Sequence, residues 1–127
     1  MRNTLCAGLS VGVLFISACE AEKLPCDDQL VILQGNGPTA VESQWDACVA
    51  RNASKIVQNQ IADKRLAEIA VELCQTHANR YSVALHDSND LLTSKYVGQL
   101  VEYKRENLFK IAVSELSRAR RLGCEAK

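Results

Sequence analysis

The chain has 127 residues, one domain's worth. Lys and Arg total 15 and so do Asp and Glu, which excludes a protein built to hold nucleic acid across a broad basic face. An apolar fraction of 47% excludes a disordered tail, and 2 Pro, 1 Trp and 2 Phe supply Ala/Leu/Val helices better than an all-β core.

Arg2 provides a short positive start, and an apolar stretch runs from Leu5 to Ile16. A stretch of about a dozen residues is too short to span a bilayer and fits the core of a secretory signal. The junction Ile16-Ser17-Ala18-Cys19 resembles the lipobox of bacterial lipoproteins: a branched apolar residue, two small residues, then cysteine. That resemblance covers residues 1–19 and identifies a class rather than a family. It implies cleavage before Cys19 and acylation of that residue, with two or three acyl chains giving stable anchoring. Glu20 stands where an aspartate would direct inner-membrane retention in enteric bacteria, so the resemblance implies an outer-membrane anchor facing the periplasm.

On this reading Cys6 leaves with the signal and Cys19 is taken by lipid. Cys26, Cys48, Cys74 and Cys124 remain, an even count that reads in an oxidising compartment as two disulfides with three connectivities open. Zinc is the rival use of these thiols, with Cys74 and His77 on one helical face. The chain holds no Cys-x-x-Cys pair, and no metal or other cofactor is expected.

Residues 19–38 form a polar tether and a short apolar segment. Leu30–Leu33 reads equally as a strand, a helical turn or a plug, and Gly35-Asn36-Gly37-Pro38 reads as a turn. The helical domain is expected over 39–124, with 125–127 a tail. Thr39-Ala40-Val41-Glu42 has the form of a capping box. Trp45, Cys48, Val49, Ala53, Ile56 and Val57 recur at helical spacing, with Trp45 expected in the core. A second apolar set runs Leu66, Ile69, Ala70, Leu73, Cys74, His77 and Tyr81 as one helix, with Asp63 a candidate N-cap.

A reversal near Ile61 makes Cys48 and Cys74 equidistant from the turn of an antiparallel hairpin. A straight helix would hold them roughly 39 Å apart, far beyond the reach of a disulfide. No glycine or proline marks the turn, but the apolar stripe shifts by roughly 70° between the halves, which favours a break. Cys26 is then left for Cys124. Residues 19–47 carry six acids and one lysine while 104–127 carry seven bases and three acids, so Asp27 and Asp28 are expected near Arg120 and Arg121.

His86–Asp90 reads as a turn, with Ser88 or Asn89 capping a last helix that ends at Gly123. A break between Gly98 and Asn107 is expected to keep that helix compact. The fold class is thus all-α: a small disulfide-stapled bundle of three to four helices.

No catalytic motif occurs, so an enzyme is not expected. His86-Asp87 is a neighbouring pair, not a base with an orienter, and Asn52-Ala53-Ser54 is a chance sequon inside a helix. Arg118, Arg120 and Arg121 read as a solvated helix end or as a docking cluster for an acidic surface. The functional expectation is a lipid-anchored envelope protein that binds another envelope protein, and no nucleic acid. A pilotin-, exclusion- or immunity-like role is an analogy of size and class alone. The alternative is a carrier or sensor of a small apolar ligand or lipid held inside the bundle.

Overall fold

The computed structural model describes residues 32–124, and these form four helices and no strand: α1 Pro38–Lys55, α2 Asp63–Glu72, α3 Gln75–Ser88 and α4 Ser94–Arg121. The all-α bundle and its antiparallel hairpin are both present. α4 packs against all three other helices, and α1 packs against α2 and α3.

Pro38 opens α1 at its first turn, where a missing N–H costs nothing, and Gly37 stands at the N-cap without a side-chain bond. The capping box therefore does not form: Thr39 lies already inside the helix, and Glu42 turns away to meet Lys104. The preceding segment is tied to α1 instead. Leu33 N–H donates to Ser43 Oγ at 3.0 Å, and Gln44 Nε2 donates to the carbonyls of Leu33 and Gly35 at 3.0 Å each. Gly35 has φ +118°, a conformation open to glycine alone at little cost. Of the Leu30–Leu33 run, residues 30 and 31 lie outside the described residues.

The chain reverses through residues 56–62 into α2, at the place expected. Asp63 is the first helical residue rather than the N-cap, which is Ala62. The second apolar set is divided: α2 ends at Glu72, Leu73 and Cys74 form a tight corner, and α3 begins at Gln75. At this corner Cys74 N–H bonds to Val71 O and His77 N–H to Cys74 O, a tightened turn that redirects the helix without glycine or proline.

The expected turn at His86–Asp90 is shifted, because α3 continues to Ser88. Asn89 instead folds the link, its Oδ1 accepting from Leu91 N–H at 3.0 Å, and Thr93 caps α4 by accepting from Tyr96 N–H at 3.2 Å. The expected break in α4 is absent: 28 residues run unbroken through Gly98. Compactness survives because α4, about 42 Å long, packs along its length against all three other helices. Gly123, at φ +72°, ends it as expected in a Schellman arrangement, with Cys124 N–H on Ala119 O and Gly123 N–H on Arg120 O.

The core joins Val41, Trp45 and Val49 of α1, Leu66 and Ala70 of α2, Tyr81 and Leu85 of α3, and Val97, Leu108 and Leu116 of α4. Trp45 is fully buried as expected, with its ring 5.9 Å from that of Tyr81 and tilted by 53°. Close helix approach rests on Ala53, Ala67, Ala70, Ala112 and Ala119, all fully buried.

Candidate functional site

Cys48 and Cys74 are joined across the hairpin, with their Cα atoms 6.0 Å apart. Asn52, one turn beyond Cys48, donates through Nδ2 to Cys48 O at 2.9 Å and lies 3.3 Å from Cys74 Sγ. The asparagine of the chance sequon is thus committed to the bridge. Cys74 has no thiolate left for a metal beside His77. His77 is half-buried, and its Nδ1 is enclosed without a hydrogen-bond partner. Burial first, then the Arg80 charge, hold its pKa below the ordinary histidine value. Cys124 is disulfide-bonded as well. Cys26, its expected partner, lies outside the described residues, as do Cys19, the lipobox, Asp27 and Asp28.

The three arginines at the end of α4 do not form one docking cluster. Arg118 pairs with Glu115, one turn back. Arg120 turns inward, with Nε 2.6 Å from Asp63 Oδ1 and Nη2 donating to Gln58 O at 2.7 Å and Ile61 O at 3.1 Å. Asn59 Oδ1 accepts a further bond from Nη1 at 3.3 Å. A single guanidinium thereby satisfies a reversal that has no glycine or proline of its own. Arg121 is exposed.

One charged group was not anticipated. Lys104 lies on the apolar stripe of α4 between Val97, Val101 and Leu108, with its side chain 11% exposed. Its Nζ stands 2.6 Å from Asp46 Oδ1 and 3.0 Å from Glu42 Oε1, two acids four residues apart on α1. Burial works against its charge, but the hydrogen bonds and charges of Asp46 and Glu42 together outweigh that, and its pKa is raised. Burial raises the phenol pKa of nearby Tyr81 too, aided by the Glu42 charge. A lysine seven residues after Val97 and four before Leu108 was the available signal. With a half-exposed carboxylate on either hand and an apolar wall behind, the group locks α4 onto α1.

Solvent meets a different surface on the amino-terminal half of α4. Lys95, Gly98, Gln99, Glu102, Tyr103 and Glu106 line a shallow open depression there. Tyr96 and Tyr103 are 49% and 67% exposed, and Leu91, just before the helix, is 88% exposed. The two rings lie on one face of α4, beside the charged residues that line the depression. Among the described residues no group of three His, Cys, Asp or Glu side chains is placed to hold a metal, and no helix is long and apolar enough to cross a membrane.

No protein-family model, no curated protein and no solved structure matches this chain.

Proposed function

We propose that this chain is a lipid-anchored protein of the bacterial envelope whose helical domain serves as a protein-interaction module. The observation that carries the reading is the state of the cysteines. Cys48 is bonded to Cys74, and Cys124 is also in a disulfide, the state that export to an oxidising compartment permits. In this reading Cys124 is bonded to Cys26, and Cys19, at the end of the lipobox-like Ile16-Ser17-Ala18-Cys19, carries the lipid.

Two further features support it. The described residues gather buried charge for docking helices, as at Lys104 and Arg120, rather than for a reaction. The alanine-mediated contacts between helices favour an external partner over an apolar ligand held inside. Tethering would hold the exposed α4 face at the membrane, where effective concentration replaces a large interface.

Labelling with a radioactive or clickable fatty acid tests the anchor. Label enters the wild-type chain in the envelope fraction and is lost in Cys19→Ser. An unlabelled chain in the cytosol, with its thiols open to alkylation, overturns the reading. Crosslinking in intact envelopes tests the interaction, which fails if an anchor-only control captures the same proteins.

A further inference from the structure

We infer that the amino-terminal half of α4 is a self-association face, on which a second copy of this chain lays the same stretch of its own α4 in antiparallel register. Lys95, Gln99, Glu102 and Glu106 are all exposed and follow one another at intervals of four, three and four. They form one straight polar stripe with the spacing of a helix-pair contact line, and at 100° per residue it lies opposite the buried line of Val97, Lys104 and Leu108.

The charges along the seam select the orientation. A two-fold axis between residues 100 and 101 sets Lys95 against Glu106 of the second copy and Gln99 against Glu102 of the second copy. An isologous contact makes each pairing twice. Parallel alignment would instead oppose Lys95 to Lys95 and Glu106 to Glu106. Glu102 already holds Arg105 within its own helix, so its charge is compensated near the axis.

Both flanks of the seam agree. Tyr96 and Tyr103 lie on the same flank, seven residues apart, and this register brings each Tyr96 within about 3 Å, along the helix axis, of the level of Tyr103 of the second copy, so that two rings otherwise in water can meet. Gly98 lies on the opposite flank, where an added Cβ would meet nothing within 4 Å, and its bare backbone lets the helices approach. One helix pair covers less than the roughly 800 Å² per partner of a stable interface, so the dimer is a weak, reversible one. The inference rests on the interaction reading of this face and names a second copy as its occupant, but it does not rest on the anchor, because the face is the same on an unanchored chain.

Sedimentation of the oxidised full chain in detergent, over a wide concentration range, tests it. The expected result is a reversible monomer–dimer equilibrium that Lys95→Glu and Glu106→Lys each weaken by about tenfold, two charge pairs being inverted at once. The double variant K95E/E106K rebuilds both pairs with signs exchanged and restores dimerisation. Gly98→Trp abolishes the dimer without lowering the thermal midpoint of the monomer. A photo-crosslinking amino acid in place of Gln99 yields, in intact envelopes, a dimer of this chain. The inference is overturned by a chain that stays monomeric throughout. It is equally overturned if the double variant is no better than the singles, or if the crosslink joins only another protein or the chain's own amino-terminal segment.

Discussion

Arg120, the penultimate residue of α4, places its Nε 2.6 Å from Asp63 Oδ1 at the start of α2, and its other nitrogens hold the loop between α1 and α2. This contact spans 57 residues of sequence. It fixes the reversal that lets Cys48 and Cys74 meet, so the α1–α2 hairpin depends on the last helix being in place.

Arg120→Met keeps the apolar stem and removes every bond at once. The expected cost is about 2 kcal/mol, within the range for hydrogen bonds to a charged group. Arg120→Lys is expected to recover less than half, because an ammonium cannot present the planar fork. Chemical denaturation gives the magnitude. Hydrogen exchange gives the place: amides of residues 58–63 lose protection first, and uniform loss across all four helices would refute a loop-specific role.

The hairpin was legible because two local signals agreed: a shift of the apolar stripe and two cysteines equally far from Ile61. The end of α4 was legible because Gly123 acts through its own backbone. By contrast, the loop at 56–62 carries no glycine or proline, its donors coming from Arg120, which no local window contains. The corner at Cys74 is a tightening of hydrogen bonds within a sequence that reads as continuous helix. Thr39 and Glu42 have capping-box spacing, but Pro38 takes the first helical position and Lys104 claims the glutamate. The buried ammonium was missed for the same reason: a lysine on an apolar stripe declares its partners only once α1 lies beside α4.

Removing the hairpin bridge with Cys48→Ser and Cys74→Ser frees a loop of 26 residues in the unfolded chain. Chain entropy alone sets the expected loss at about 3.5 kcal/mol. Digestion of the wild type without reductant should release a peptide pair joining Cys48 to Cys74, and a second joining Cys26 to Cys124. Recovery of Cys26 or Cys124 as a free thiol would remove the second bridge.

Gly98→Ala should stabilise the monomer by about 0.5–1 kcal/mol, since helical glycine loses more backbone freedom than alanine and the new methyl group meets no atom within 4 Å. The comparison belongs at concentrations low enough to keep the chain monomeric. A destabilised variant would show that α4 is not a regular helix at that point.

Lys104 and Tyr81 predict weakness in alkali. The raised pKa of Lys104 means that the folded chain holds this proton more tightly than the unfolded one. Its contribution is complete below the ordinary lysine value of about 10.4 and is lost as pH climbs through the folded value. Tyr81 acts in the same sense, because the unfolded chain releases the phenol proton near 10 before the folded one does. Denaturation midpoints should therefore fall above about pH 10, less steeply in Lys104→Met. At neutral pH that variant should cost about 1–3 kcal/mol, because it leaves the enclosed Asp46 Oδ1 without its ammonium partner. Glu42→Gln with Asp46→Asn, which strands the buried ammonium, should cost about 3 kcal/mol.

His77 predicts the opposite limb. Its pKa is lowered in the fold, first by burial and then by Arg80, so below 6.5 the unfolded chain takes up this proton more readily than the folded one. Its share of stability is complete above 6.5 and declines as pH falls through that value, until the folded form protonates too. Because Nδ1 has no partner in the fold, His77→Leu gives up no hydrogen bond there and should leave neutral-pH stability within about 1 kcal/mol. The variant's stability should then stay flatter than the wild type's as pH falls below 6.5. Equal acid slopes in both chains would mean that the imidazole titrates alike folded and unfolded.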